Sequence, residues 1–78
     1  MKPTEDDLRR VVASICRVPE AAITADSRFV QDLAMDSIAS LDLLTELEET
    51  YGIVITQDRA RHLQTFGKIV AYVDELPD

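Results

Sequence analysis

The chain has 78 residues and a formal net charge of −7, enough for one small domain over residues 1–78 but not for a core that also encloses a substrate cavity, so we expect no enzyme. Apolar residues form 46% of the chain, too many for a disordered acidic tail, and the pI near 4.5 argues against nucleic acids and anionic membranes as partners. One cysteine excludes an internal disulfide, and one cysteine with one histidine argues against a metal site. No secretion signal, lipidation motif or membrane span is visible, so we expect a cytoplasmic protein, with a monomer as the default.

The first predicted helix begins after Thr4, whose hydroxyl can cap it, and the acids Glu5, Asp6 and Asp7 suit the positive end of the helix dipole. Its apolar residues recur at helical spacing and predict one buried stripe: Leu8, Val11, Val12 and Ile15. Cys16 lies at the edge of that stripe and is interpreted as a small buried apolar residue rather than a reactive thiol. Pro19 ends the helix.

A long loop is predicted from Arg17 to Met35, since no periodic pattern is sustained there. Scattered apolar residues indicate that the loop is anchored to the core: Val18, Ile23, Phe29 and Leu33. A short turn is expected at Asp26-Ser27-Arg28. The chain has only two glycines, so glycine-rich phosphate-binding loops are absent.

The second predicted helix is capped by Asp36 or Ser37 and runs to about Thr50, ending at Gly52. One side carries a predicted core stripe: Leu41, Leu44, Leu47 and Tyr51, with Leu43 at its flank. The opposite side carries the candidate partner-docking residues: Ile38, Asp42, Glu46 and Glu49. From Phe29 to Asp58 there are seven acids and no Lys or Arg, which predicts a partner with basic patches.

Residues 53–55 are predicted to form a buried connector, because no other stretch could pair with them as a strand. A short third helix follows from a Thr56 cap through about Leu63 and bears Arg59, Arg61 and His62. Thr65 caps the last helix, which Pro77 stops and whose apolar stripe is Phe66, Ile69, Val70, Val73 and Leu76. These elements predict an all-α fold.

Three interpretations of Ser37 are compatible with its position. It could be a nucleophile with His62 as base and Asp36 or Asp32 as orienting acid, although no Gly-x-Ser-x-Gly motif surrounds it. It could serve only as a helix N-cap. It could also be covalently modified, since a phosphodiester there would lie beside unpaired backbone N–H groups and the positive end of the helix dipole.

The segment from Asp32 to Glu49, with Asp36-Ser37-Ile38 inside it, resembles the phosphopantetheine-attachment segment of acyl carrier proteins. The resemblance extends over nearly the whole chain. It implies a four-helix bundle with a short third helix and a long loop between helices one and two. It also implies that Ser37 carries 4′-phosphopantetheine, with Asp36 as part of the motif, and that the arm's thiol holds acyl groups as thioesters.

The implied partners are a phosphopantetheinyl transferase that uses coenzyme A, and acyl-activating, condensing or acyl-transferring enzymes. In the family, the residues matching Ile38, Asp42, Glu46 and Glu49 meet the basic patches of such partners.

Several residues depart from the pattern of fatty-acid-synthesis members. Ala34-Met35 replaces Gly-Ala, Ile38 replaces Leu, Ala39 replaces an acid, and the third helix is basic where those members are acidic. These departures favour a specialised lipid or secondary-metabolite carrier. A D-alanyl or aminoacyl carrier stays an alternative, a peptidyl carrier lacks its Gly-Gly-x-Ser motif here, and an acidic interaction module without a prosthetic group is a further alternative.

Overall fold

Four helices form the framework of the computed structural model, which describes residues 2–77. They are α1 (Glu5–Cys16), α2 (Ser37–Tyr51), α3 (Gln57–Ala60) and α4 (Phe66–Asp74), with a 3₁₀ helix at Glu20–Ala22 between α1 and α2. Within residues 2–77 there is no strand, only an isolated bridge between Arg28 and Thr65. The predicted all-α bundle, with its short third helix and long loop between the first two helices, is confirmed.

A side-chain cap starts every one of the four helices in the described part of the chain. The capping residues are Thr4, Asp36, Thr56 and Thr65, and each accepts a hydrogen bond from a backbone N–H in the first turn of its helix. Thr4 and Asp7 bond reciprocally, which completes a capping box. Gly52 ends α2 in the left-handed conformation, with φ of 69°, as its position in the sequence predicted.

The core lies where α1, α2 and α4 meet. Its most completely buried side chains come from all three helices: Leu8, Val12, Leu47, Phe66 and Val73. Full burial of such a side chain stabilises the fold by about 1.5–3 kcal/mol. The long loop and the connector after α2 close the core with Ile23, Phe29, Leu33, Met35, Ile53 and Ile55.

Backbone hydrogen bonds tie the long loop to the start of α4. Phe66 N–H donates to the Ser27 carbonyl at 2.9 Å, and Gly67 N–H donates to the Ala25 carbonyl at 2.9 Å. A β-carbon at Gly67 would lie 2.8 Å from that carbonyl oxygen, so glycine is required there by the close approach of the two backbones. The turn in this loop is closed from Ser27 back to Thr24, two residues earlier than predicted.

Four further expectations about the elements are corrected by the structure, and one element was not expected. Leu41 is 51% exposed and Val54 is 65% exposed, whereas both were predicted to be buried. The third helix ends at Ala60 because the N–H groups of His62 and Leu63 bond three residues back, to the Arg59 and Ala60 carbonyls, in tight turns. The last helix ends at Asp74, where the bonding tightens in the same way, and the 3₁₀ helix was not predicted.

Candidate functional site

Ser37 is the first residue of α2 and is exposed to solvent. The cap of this helix is Asp36, whose Oδ1 accepts a hydrogen bond from Ala39 N–H at 2.8 Å. Within residues 2–77 the Ser37 hydroxyl has no hydrogen-bond partner. The sequence left the cap open between Asp36 and Ser37. The structure assigns it to Asp36 and leaves the serine hydroxyl accessible to a reagent.

The two residues before Asp36 set the direction in which the chain enters α2. Ala34 has φ of 55°, in the left-handed region that costs a residue other than glycine about 1–2 kcal/mol. Its neighbours Leu33 and Met35 are both buried, and Met35 N–H donates to the Phe29 carbonyl at 2.9 Å. Ala34 therefore adopts this conformation because the buried residues on both sides fix the path of the chain.

An open groove of about 1090 Å³ begins at Ser37 and runs between α2 and the segment that includes α3. Its apolar lining includes Phe29, Met35, Leu41, Leu44 and Leu63. Leu41 and Leu44 follow Ser37 at i+4 and i+7, so they continue its row along the helix. Leu41 was predicted as core and is instead part of the groove wall. Its spacing from Ser37 is the signal that could have identified it.

The acidic row of α2 lies on the exposed surface. Asp42, Glu46 and Glu49 are exposed, and Ile38 at the head of the row is 71% exposed. Among the described ion pairs none involves an α2 acid, whereas each acid in the first turn of α1 pairs with Arg9 or Arg10. The α2 acids therefore present uncompensated negative charge.

Exposed apolar side chains surround Ser37. Val30, Ile38 and Leu41 are 65%, 71% and 51% exposed, and Val30 and Leu41 line the groove. Ile38 was predicted from the sequence, whereas Val30 was not, because it lies in the long loop where no periodic pattern marks it. An accessible serine is thus set in an apolar surface with acids beyond it.

The residues proposed for a hydrolase are not assembled around Ser37. Asp36 is bonded to Ala39, and Asp32 accepts hydrogen bonds from the side chain and the backbone N–H of Arg28. These bonds hold the pKa of Asp32 below its ordinary value. His62 is exposed and forms no described hydrogen bond with Ser37 or either acid. The geometry gives no serine–histidine–acid arrangement.

Residues 2–77 contain neither a metal-binding cluster nor a membrane-spanning helix. No group of three or more His, Cys, Asp or Glu side chains there could hold a metal ion. None of the described helices is both long enough and apolar enough to cross a bilayer. A second groove, of about 310 Å³, lies at the opposite end of α2 near Tyr51, and no serine or cysteine is among its described lining residues.

Comparison with known proteins identifies the family. The family described as "Phosphopantetheine attachment site" matches residues 6–73. A curated acyl carrier protein of Chlamydia trachomatis serovar L2 is 32% identical over 71 residues, which cover 91% of this chain and 92% of that protein. The chain belongs to the acyl carrier protein family. The resemblance stated from the sequence is confirmed.

Membership settles several expectations. Acyl carrier proteins are carriers and not enzymes, so the expected absence of an enzymatic activity follows from the family. The family implies a covalently attached 4′-phosphopantetheine. It also implies interaction with a phosphopantetheinyl transferase and with acyl-handling enzymes.

Proposed function

We propose that the chain is a stand-alone acyl carrier whose Ser37 hydroxyl carries the 4′-phosphopantetheine arm. The observation that supports this most strongly is the division of roles at the start of α2. Asp36 caps the helix, and Ser37 is exposed with an unbonded hydroxyl at the opening of an apolar groove. A bond from Ser37 Oγ to phosphorus would therefore leave the cap of α2 intact.

The attachment step balances with coenzyme A as donor. Ser37 Oγ bonds to the phosphorus that bears pantetheine, the P–O bond to the adenosine diphosphate part breaks, and 3′,5′-adenosine diphosphate leaves. The hydroxyl proton passes to a base of the transferase. When bound, the arm supplies a thiol that holds acyl groups as thioesters. The chain's own residues orient the serine and line the groove beside it.

The groove supports a sheltering role for the arm and its acyl group. Phe29, Met35, Leu41, Leu44 and Leu63 offer apolar surface along it, beginning at the attachment point. Covering apolar surface is favourable by roughly 25 cal/mol for each Å² removed from water. Because the groove is open, an acyl group lying in it can leave for a partner's active site without unfolding of the bundle.

The exposed row Ile38, Asp42, Glu46 and Glu49 is proposed as the partner-docking surface. Its acids form no ion pair among the described residues, and Ile38 is the most exposed of the large apolar side chains there. Complementary charge accelerates encounter and fixes orientation, while an apolar residue at the centre of a contact contributes affinity. Partners that fit this row carry basic patches around an apolar depression.

The departures from fatty-acid-synthesis members support a carrier dedicated to a specialised lipid or secondary-metabolite pathway, acting as a single-domain monomer in the cytoplasm. The third-helix segment carries Arg59 and Arg61 where those members are acidic, so a partner that recognises their acidic surface would meet the opposite charge. In a bacterium depleted of its own fatty-acid carrier, we therefore expect this chain not to restore growth. Restored growth at equal expression would instead indicate the general fatty-acid role.

The attachment site is tested by incubating the apo protein with coenzyme A and a broad-specificity phosphopantetheinyl transferase, followed by intact-mass measurement. The wild type should gain one phosphopantetheine. Ser37→Ala should gain none, while Ser40→Ala, changed at another serine of the same groove, should be modified like the wild type. An unmodified wild type, with a transferase active on a control carrier, would overturn the proposal.

A further inference from the structure

Arg61 is the single cation among the described residues that line the groove beside Ser37. The acids of this lining are Asp36 and Asp58. The stretch from Phe29 to Asp58, which includes Ser37, contains no Lys or Arg at all. A negatively charged group attached to Ser37 would therefore enter an acidic neighbourhood in which Arg61 is the one compensating charge within the groove.

Arg61 lines the same groove as Ser37, and a series of hydrogen bonds connects the two segments that bear these residues. Met35, two residues before Ser37, donates its N–H to the Phe29 carbonyl at 2.9 Å, and Phe29 N–H donates to the Gln64 carbonyl at 3.0 Å. The Gln64 side-chain amide in turn donates to the Arg61 carbonyl at 3.0 Å. The backbone that leads into Ser37 is thus connected to the turn that bears Arg61.

Among the described residues, the guanidinium of Arg61 is held only by an exchangeable ion pair. Its partner is Asp58, at 2.5 Å, and the two side chains are 77% and 89% exposed. Exposed pairs of this kind are screened by water and contribute little to stability. Arg59, in α3 and two residues before Arg61, lies 5.7 Å from the centroid of the Tyr72 ring of α4 and does not line the groove. Arg61 is therefore the residue to substitute in a test, and Arg59 is its matched control.

We propose that Arg61 pairs with the phosphodiester of the arm attached to Ser37, leaving Asp58 to do so. The inference rests on the proposed attachment at Ser37. A phosphodiester adds one negative charge beside Asp36, and a guanidinium binds phosphate oxygens through two parallel hydrogen bonds. Arg61 thereby positions the first part of the arm over the groove and reduces the repulsion between the phosphate and the acids around it.

The test compares apo and phosphopantetheinylated forms of the wild type, Arg61→Gln and Arg59→Gln. In the wild type the Arg61 side-chain Nε–H signal in ¹⁵N-edited NMR should shift on modification, and the Arg59 signal should not. The change in Tm from apo to modified protein should be less favourable in Arg61→Gln than in the wild type by about 1 to 8 °C. Arg59→Gln should show the wild-type change, and 0.5 M salt should reduce the difference.

The outcomes separate this inference from the proposed function. If the mass of the wild type does not change, attachment at Ser37 fails and the inference fails with it. If the mass rises by one arm but Arg61→Gln and the wild type show the same change in Tm and no Arg61 signal moves, attachment stands and the Arg61 contact is wrong. A difference that salt leaves unchanged would also overturn the ion pair.

Discussion

Replacing Ala34 by glycine should stabilise the protein, although glycine usually destabilises. Ala34 has φ of 55°, and a side chain in that conformation costs about 1–2 kcal/mol. Glycine removes this cost but adds about 0.4–1 kcal/mol of backbone entropy in the unfolded chain. Since Ala34 is exposed, little burial is lost with its methyl group. The net gain therefore lies between about 0 and 1.6 kcal/mol, and its midpoint of about 0.8 kcal/mol corresponds to roughly 3 to 6 °C in Tm for a domain of this size.

The matched control is Ala71→Gly, because Ala71 is also exposed but lies inside α4 with ordinary helical geometry. There glycine should cost about 1 kcal/mol. Urea unfolding followed by circular dichroism measures both variants against the wild type. Opposite signs for the two identical substitutions support the reasoning. If Ala34→Gly destabilises as much as Ala71→Gly, the buried neighbours do not impose the left-handed conformation.

Three further predictions follow from other contacts. Gly67→Ala should lower the free energy of unfolding by about 1 to 3 kcal/mol despite the better helix propensity of alanine, because the new methyl group meets the Ala25 carbonyl; unchanged stability in urea melts would contradict the close approach. Asp32→Asn should destabilise the protein at pH 7, because the pKa of Asp32 is lower in the folded protein than in the unfolded chain. The stability that this carboxylate contributes is present above its unfolded pKa of about 3.9 and is lost as the pH falls through its folded pKa. The difference from the wild type should therefore vanish in unfolding experiments near pH 2, and a gap that persists there would mean that the Arg28 charge is not its source. Glu46→Lys should change the free energy of unfolding by no more than about 0.5 kcal/mol but slow modification of Ser37 by a transferase. Glu20→Lys, on the 3₁₀ helix, is the control. An equal loss of Tm and of modification rate would show that Glu46 acts within the bundle.

The helices were predictable because their signals are local. Thr4, Asp36, Thr56 and Thr65 are capping residues at positions that the apolar periodicity also marks, and Gly52 ends α2. The ends of α3 and α4 were not predictable, since they depend on tight turns that the propensities of Leu63 and Leu76 do not encode.

The candidate site, too, could be predicted only in part from the sequence. Ser37 and the acidic row could be put forward as candidates because residue type and spacing mark them without tertiary information. Leu41 was misassigned because periodicity gives the direction of a side chain but not what lies opposite it. Here the facing segment is the short α3 region, which leaves a groove beside Leu41 and Leu44 instead of closing over them.

The contrast between α1 and α2 indicates what the exposed acids contribute. In α1 the first-turn acids lie three or four residues from Arg9 or Arg10 and pair with them. In α2, Asp42 and Glu46 are four residues apart and Glu46 and Glu49 three apart, with no described cation between them. Each such like-charge neighbour costs an isolated helix about 0.2–0.5 kcal/mol. A basic side chain at any of these positions would remove that cost without touching the core. The exposed face of α2 therefore lacks stabilising charge pairs, although the same helix is stabilised by a buried stripe, the Asp36 cap and the Gly52 end. Such a pattern is expected where unpaired charge is needed by a second molecule, and it begins next to Ser37, the proposed attachment site.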